Sequence, residues 1–407
     1  MVHVRQLAAC GVHEAGSLGE RNTARYVQEQ MKQAGLSVTV EPFTFQSFAL
    51  ENAVLEAGVE QAEILKLGFN PYSAKSPISG ELAFVTATDQ PSILKADLDG
   101  KLVLLVGNDG FSIVSFHKKP VALVSLSSPD FERLKAGGAT AAEIRFRGRV
   151  RTAKSANIVG VLAAKPGARE IILSAHYDSV NGPGANDNAT GVAVLLELAR
   201  YFHGCKLPPG LSLRFVAFGA EEAGFLGSKA YLQRHHLELA KCELLFNIDQ
   251  VGGDGAIYTD TRGGVRGLPT RFGSQLPRNL VDKAYTEPSA KWMLLKSSER
   301  PLWASSNVPQ WLRSAVAGAG KGLGRKVIAQ DSSGSDHRVF AQAGVVTTDI
   351  TTDGGAQTHA PTDVPEAVDA DAMESAARLV RAVVEDLLRA EPPGTPPTPP
   401  PPLGSVK

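Results

Sequence analysis

Apolar positions near the start of the chain recur first with a helical period and then in alternation. Within residues 20–34 the apolar side chains repeat at helical spacing, and Gly35 ends the predicted helix. Residues 36–45 alternate apolar and polar side chains, as a strand with one buried face does. The chain therefore opens with a predicted helix followed by a predicted strand.

The pattern changes between residues 46 and 151. Short apolar runs such as GELAFV, GKLVLLVG and PVALVSL are separated by Gly, Pro, Ser and Asp, and no long helical period is present. Such runs are typical of short strands joined by turns. We therefore predict that residues 46–151 form an inserted, small, β-rich domain.

From residue 156 onward, nearly continuous apolar runs alternate with segments of helical period. The predicted strands are NIVGVLAA, EIILSAH, LSLRFVAFG, CELLFNID, RKVIA and GVVTTDIT, and the predicted helices cover 187–202, 225–235, 307–319 and 369–388. Strands buried on both faces read as continuous apolar runs. The sequence predicts an α/β domain over 1–45 and 152–390, with a mostly parallel mixed sheet covered by helices on both faces.

Two segments do not fit this alternation. Residues 260–274 are rich in Gly and Arg, which predicts a loop. Residues 391–407 contain eight prolines, and this composition predicts a disordered, extended tail.

Charge and hydropathy exclude several functions. Lys+Arg and Asp+Glu both number 42, so no net field attracts nucleic acid or an anionic membrane. No apolar run approaches the ~20 residues that a membrane-spanning helix needs, and no signal peptide is visible at the start. We expect a soluble protein, either cytoplasmic or, if the chain is a mature or truncated form, extracellular or periplasmic.

The three cysteines are too few and too scattered for a disulfide framework or a cysteine-ligated zinc site. We interpret Cys10, Cys205 and Cys242 as small buried hydrophobic residues. A pairing of Cys205 with Cys242 in an oxidising compartment remains open at this point.

Histidines and acidic residues stand at the ends of the predicted strands. These residues are His176, Asp187, Glu221, Glu222, Asp249 and His359. Each has an ordinary explanation by itself: a solvated pair, a helix N-cap for Asp187, or glutamates in a first helical turn. Together they form a nitrogen and oxygen ligand set for a divalent metal at the carboxyl ends of the strands, where open α/β sheets bind ligands.

Other residues would support these ligands. Asp178 lies two residues after His176 on the same face of a strand, so it can orient that histidine or bind a backbone group. Asp363, four residues after His359, is placed to orient it. His337, with Asp336 beside it, is a candidate to line the same cleft.

The order of motifs resembles a known family. H-x-D-S, P-G-A-x-D-N-A-[ST]-G, A-E-E-x-G-x-x-G-S, N-x-D, S-D-H-x-x-F and H-x-P-x-D follow one another over 156–390. This order resembles the di-zinc aminopeptidases, in the group of zinc exopeptidases that includes plasma and prostate-type glutamate carboxypeptidases and glutaminyl cyclases. The resemblance also covers 17–45. The inserted domain, through GKLVLLVG, resembles the protease-associated domain.

The resemblance implies a role for each ligand. Asp187 would bridge two Zn²⁺ ions; Glu222 and His359 would complete the first, and His176 and Asp249 the second. Glu221 would be the general base for a water activated by the two metals, and Asp178 the partner of His176. The implied fold is zinc-exopeptidase-like (phosphorylase/hydrolase-like), the implied substrates are peptides with a free N-terminus, and Mn or Co would accept the same ligands.

Three other functions remain open. A glutaminyl cyclase shares the metal motif, although its D-S-x-V-P-C is replaced here by DNATG and AEEAGFLGS lacks its insertion. A carboxypeptidase or dipeptidase would use arginines of the 260–274 loop to bind a substrate carboxylate. A non-enzymatic relative would have lost ligands, whereas all six positions are filled here. Gln250, where the family usually has a hydrophobic residue, bears on the substrate pocket rather than on metal binding.

Overall fold

A computed structural model of the chain describes residues 1–68, 76–86, 93, 95–106, 120–162, 169–260, 308–330, 334–354 and 358–389. Their contacts divide them into two compact units, one from the described residues of 1–44, 154–260 and 308–389, and the other from those of 45–153. Asp260, the first residue of the predicted loop at 260–274, instead ends a strand, while residues 261–274 and the predicted tail at 391–407 lie outside the described residues.

The first unit alternates strands and helices along the chain. Its helices are α1 (Val2–Ala8), α2 (Leu18–Gln33), α4 (Gly191–His203), α5 (Leu226–His235), α6 (Gln310–Gly320), α7 (His337–Gln342) and α8 (Ala370–Arg389). Its strands are β8 (Arg169–His176), β9 (Leu211–Phe218), β10 (Cys242–Ile248), β11 (Ile257–Asp260), β12 (Val327–Gln330) and β13 (Thr347–Thr352). Two long strands, β1 (Ser37–Ala57) and β7 (Ala141–Leu162), contain the boundaries between the units.

The sheet of the first unit has the strand order β12-β11-β13-β10-β8-β9-β7. Strands β13, β10, β8 and β9 are mutually parallel. β11 is antiparallel to β13 and parallel to β12, and residues 158–162 of β7 run antiparallel to β9. The predicted mixed, mostly parallel sheet is confirmed.

The two faces of this sheet carry separate apolar cores. Ile171 and Leu173 of β8 pack in one core with residues of α1, α2, α4, α6 and α8, such as Leu195. Ile172 lies between them in sequence and packs in the other core, with Tyr231 of α5 and Phe340 of α7. Because successive strand residues point to opposite faces, this division confirms that helices cover both sides.

The N-terminal helix α1 was not predicted from the sequence. It spans only two turns, too short for a helical period to stand out, yet its Val4 and Leu7 are fully buried in the core beneath α4. The helix predicted at 20–34 is confirmed as α2, whose first turn is capped by the Ser17 hydroxyl accepting from the Glu20 N–H at 3.0 Å.

The second unit is mostly β. It contains β2 (Glu60–Glu63), β3 (Lys66–Gly68), β4 (Ile78–Phe84), β5 (Leu102–Val106), β6 (Ala122–Leu126) and one helix, α3 (Ser128–Ala136). β4, β5 and β6 are parallel neighbours, β3 pairs antiparallel with β6, and β1 and β2 form a hairpin. We did not predict α3, although its capping serine, Ser127, accepting from the Asp130 N–H, is a readable start signal.

None of the helices in the described ranges is long and apolar enough to cross a membrane. The three cysteines are free thiols, so the Cys205–Cys242 pairing is not formed, and each is half-buried rather than fully buried as we expected.

Candidate metal centre

The predicted ligands meet at one edge of the sheet. His176 ends β8, Glu221 and Glu222 follow β9, and Asp249 follows β10. His359 lies beyond the end of β13. Since these four strands are parallel, their carboxyl ends fall at the same edge, and side chains up to 183 residues apart in sequence are brought together.

The side chains form two groups whose potential ligand atoms all lie within 4.8 Å of one another. One group is Asp187, Glu222 and His359, and the other is His176, Glu221 and Asp249. Asp187 lies between the two groups: its Oδ1 is 3.2 Å from His176 Nε2, and its Oδ2 is 3.2 Å from His359 Nε2. His359 Nε2 is also 3.0 Å from Glu222 Oε2, and His176 Nε2 is 3.3 Å from Asp249 Oδ1.

Asp187 is not the N-cap of a helix, as the sequence left open. Its backbone is non-helical (φ −110°, ψ 88°), it lies within a distorted turn at Ala185–Thr190, and α4 begins only at Gly191. The capping contact comes instead from Asn188, whose Oδ1 accepts from the Gly191 N–H at 2.9 Å. The peptide bond between Asp187 and Asn188 is cis. The two carboxylate oxygens of Asp187 face one histidine each, at 3.2 Å.

Asp363 has contacts that the sequence did not predict, and its orientation of His359 stays a prediction. The Asp363 carboxylate accepts hydrogen bonds from the backbone N–H groups of Asn186, at 2.7 Å, and Asp187, at 3.0 Å. Asp363 therefore fixes the backbone that carries the shared carboxylate. A spacing of four residues cannot distinguish these outcomes, because Asp363 lies in a loop.

Asp178 contacts both His176 and the turn that follows β9. The ring Nδ1 of His176 is 3.2 Å from the Asp178 backbone carbonyl oxygen and 3.6 Å from its Oδ1. The Asp178 carboxylate accepts from the N–H groups of Glu221, at 2.9 Å, and Glu222, at 3.1 Å. Asp178 is fully buried. It therefore connects the end of β8 to the turn that follows β9.

Gln250 makes two contacts near the site that were not predicted from the sequence. Its Nε2 donates to Asp187 Oδ2 at 3.2 Å, and its Oε1 accepts from the Thr358 hydroxyl at 2.9 Å. The only available signal was its position directly after Asp249. Gln250 thus joins the shared carboxylate to the residue before His359.

Burial and neighbouring charges shift the pKa values of the acids and histidines in the site. Burial would lower the pKa of His359, but Asp187 and Glu222 raise it to about 10. Burial would also lower the pKa of His176, but Asp249 and Glu221 raise it well above its ordinary value. Burial raises the pKa of Glu222 to about 7, with Asp187 adding to the shift. The site thus holds more carboxylate charge than its two imidazoles offset.

This donor set fits a pair of divalent cations of the zinc type. Imidazole nitrogen and carboxylate oxygen are ligands of Zn²⁺, which binds them at about 2.0–2.2 Å. Two such ligand atoms on one ion lie roughly 3.3 Å apart, which is the spacing seen between the histidines and Asp187. Glu222 Oε1 is buried with no hydrogen-bond partner among the described residues, so it retains capacity for a ligand.

His337 does not join these two groups. It forms a third group with Asp260 and Asp349, in which the potential ligand atoms again lie within 4.8 Å of one another. Asp336 is buried, and its charge contributes to raising the pKa of Glu221. Asp336 therefore acts on the proposed site, whereas His337, the next residue, lies in the third group.

A mixed α/β sheet that collects histidine and carboxylate groups at the carboxyl ends of its parallel strands is typical of the zinc-dependent α/β exopeptidase class. The chain belongs to peptidase family M28, whose family profile matches residues 157–290 and 286–384. The resemblance stated from the motifs is confirmed.

Individual proteins agree with this placement. The chain is 29% identical over 276 residues to aminopeptidase YwaD of Bacillus subtilis strain 168, a match that covers 60% of this chain and 59% of that protein. It is 24% identical over 315 residues to the probable lipoprotein aminopeptidase LpqL of Mycobacterium tuberculosis, covering 65% and 62% respectively. The chain thus spans less than two thirds of the length of these relatives.

Solved structures share the fold. An aminopeptidase from Aneurinibacillus sp. strain AM-1 superposes with a TM-score of 0.63 at 23% identity, covering 95% of this chain and 92% of that one. BSAP, a zinc aminopeptidase from Bacillus subtilis, gives a TM-score of 0.64 at 22% identity, covering 96% and 95%.

Proposed function

We propose that the chain is a zinc metallo-aminopeptidase that removes N-terminal residues from peptides with a free amino terminus. The observation that carries the proposal is the position of Asp187, whose two carboxylate oxygens each lie 3.2 Å from the histidine of a different ligand group. Relatives named aminopeptidase, one of them a zinc aminopeptidase of known structure, support the reaction and the metal.

Each group would hold one ion, with Asp187 shared. Glu222 and His359 complete one set of ligands, and His176 and Asp249 complete the other. Two zinc ions held there would polarise the scissile carbonyl and lower the pKa of the attacking water, and Mn or Co would accept the same ligands. All five ligands belong to the unit formed by the described residues of 1–44, 154–260 and 308–389. We therefore assign catalysis to residues 1–45 and 152–390 and not to the β-rich domain at 46–151.

Glu221 would act as the general base. Its side chain lies close to His176 and Asp249, and it is only 7% exposed. Burial raises its pKa well above the ordinary value, and Glu222 adds to the shift while His176 opposes it. A carboxylate with a raised pKa can take a proton from water and return it to the leaving amine. Asp178 holds the Glu221 backbone in place and so positions this base.

The substrate would approach from the side of His359. The His359 side chain is 28% exposed, whereas those of His176 and Asp187 are 1% and 3% exposed. The ligand group of His359 is therefore the one that solvent reaches. The group of His176 is more deeply buried.

A substrate panel tests the function. Amino-acid 4-nitroanilides, dipeptides and peptides with acetylated N-termini are assayed with the zinc-loaded enzyme, before and after chelation. We expect release of the first residue from free N-termini, no reaction with acetylated peptides, and loss of activity on chelation that zinc restores. Hydrolysis of acetylated peptides from their C-termini would instead indicate a carboxypeptidase. Cyclisation of N-terminal glutamine without release of an amino acid would indicate a glutaminyl cyclase.

A further inference from the structure

Three buried residues outside the candidate metal centre form a group of their own. Asp260 ends β11, Asp349 lies in the neighbouring antiparallel strand β13, and His337 begins α7. Their side chains are 0%, 3% and 0% exposed. We call these three residues the His337 group. None of them takes part in the proposed reaction, so the function leaves this group unexplained.

One distance within the His337 group is that of two ligands on a common ion. His337 Nε2 is 3.4 Å from Asp260 Oδ2, whereas the other ring nitrogen, Nδ1, is 3.9 Å from Asp349 Oδ2. A charge-assisted hydrogen bond between nitrogen and carboxylate is shorter, about 2.7–2.9 Å. Two atoms that bind one zinc at about 2.0–2.2 Å in tetrahedral geometry lie roughly 3.4 Å apart. The histidines and carboxylates of the proposed zinc site are 3.0–3.3 Å apart, slightly closer than His337 Nε2 and Asp260 Oδ2.

The lack of hydrogen bonds to the His337 ring among the described residues also favours a bound ion. Within the described part of the chain, neither its Nδ1 nor its Nε2 makes a hydrogen bond. Leaving buried polar groups without partners is unfavourable, so a fully buried imidazole is normally hydrogen-bonded. Asp349, by contrast, is held in place, because its Oδ1 accepts from the Asp260 N–H at 3.0 Å. The Asp349 carboxylate is thus held beside a ring that has capacity for a ligand.

We propose that Asp260, His337 and Asp349 bind a third divalent cation, of the zinc class that takes nitrogen and oxygen ligands. Two carboxylates in a dry interior need compensating positive charge. An imidazole ligand favours Zn²⁺, Co²⁺ or Mn²⁺ over Ca²⁺ and Mg²⁺, which prefer all-oxygen sites. The positive charge of Arg338, the next residue in the chain, lowers the pKa of His337. The competing explanation for the His337 group is a cluster without a metal ion, in which a protonated His337 lies between the two aspartates.

The third ion would be structural. It would tie α7 to the β11–β13 pair and so fix residues 335–337. Ser335, in this segment, accepts a hydrogen bond from Asn247 Nδ2 at 2.7 Å. Asn247 lies in β10, two residues before Asp249. Loss of the third ion would therefore affect the proposed catalytic centre only indirectly, by shifting residues 335–337.

Metal stoichiometry tests the proposal. The full chain is loaded with Zn²⁺, freed of excess, and analysed by inductively coupled plasma mass spectrometry. We expect three equivalents in the wild type, two in His337→Gln and in Asp260→Asn, and three in the control His236→Gln, which replaces an exposed histidine. Asp187→Asn tests the other two ions, so failure of the proposed function and failure of the third site give different results.

Unchanged zinc content in both His337→Gln and Asp260→Asn, with native circular dichroism, would overturn the proposal in favour of the cluster without a metal ion. A second measurement needs no variant. Wild-type protein loaded with ¹¹³Cd should give three cadmium resonances. Two resonances, or only one, would mean that the His337 group binds no ion, whether or not the variants fold.

Discussion

Asp178 Oδ1 accepts a hydrogen bond from the backbone N–H of Glu221 at 2.9 Å. Its other carboxylate oxygen accepts from the N–H of Glu222 at 3.1 Å. The two adjacent glutamates belong to different ligand groups. One buried carboxylate therefore fixes the turn from which both groups receive a side chain.

Replacing Asp178 by Asn should weaken the site without removing a ligand. The amide keeps one oxygen acceptor, but its NH₂ group then faces a backbone N–H, so one of the two hydrogen bonds is lost. We expect kcat/KM and zinc affinity to fall by about 10- to 100-fold. Kinetics at fixed free zinc and competition with a chelator measure both quantities. Asp371→Asn, at an exposed position, is the control, and equal values for the two variants would contradict the role of Asp178.

Replacing Glu221 by Gln separates a general base from a ligand. As the base, its loss should lower kcat by about 10²- to 10⁴-fold while zinc content stays unchanged. The exposed Glu14→Gln variant is the control. Loss of a zinc equivalent in Glu221→Gln would make Glu221 a ligand, in keeping with its closeness to His176 and Asp249. A wild-type rate would exclude both roles.

Replacing Gln250 by Leu should affect metal binding more than chemistry. The change removes the hydrogen bond to Asp187 Oδ2 and leaves every ligand in place. We expect zinc affinity to fall by about 10-fold, with activity recovered at saturating zinc. Zinc titrations of activity, with the exposed Gln33→Leu as control, measure the shift. Unchanged affinity would show that the contact does not tune Asp187.

Glu20 should make stability depend on pH. It is 1% exposed and accepts hydrogen bonds from the Gly16 N–H, at 2.6 Å, and the Ser155 hydroxyl, at 2.5 Å. Burial, with the Asp178 charge, raises its pKa from 4.5 to about 7. Between these values the folded state binds more protons than the unfolded state. The stabilising contribution of Glu20 is therefore complete below pH 4.5 and is lost as the pH rises to about 7.

Glu20→Gln removes this titration. Relative to wild type, the variant should gain stability between pH 5 and pH 8, as measured by the urea midpoint. Glu29→Gln, an exposed change on the same helix, should show no such gain. A difference between wild type and Glu20→Gln that stays constant over this pH range would mean that Glu20 is ionised in the fold throughout.

The sequence predicted the strands and long helices of the first unit well, because fully buried strands and amphipathic helices have strong local patterns. It missed α1, α3 and the four-residue strand β11, which are too short for a period to be visible. It left open whether Asp187 is a helix N-cap, since a turn that departs from helical geometry carries no distinct composition. For Asp363, the sequence spacing allowed a contact with His359, whereas the loop directs its carboxylate to the backbone at Asp187.

The sequence by itself determined which residues of the candidate centre stand at strand ends, and hence the donor chemistry available there. The family resemblance implied how those donors divide around Asp187, but only the tertiary structure brings them together, and it alone shows that His337 lies with Asp260 and Asp349. The physical reason is that element type follows from local periodicity. Contacts between side chains far apart in sequence depend instead on strand order and register, which no local pattern encodes.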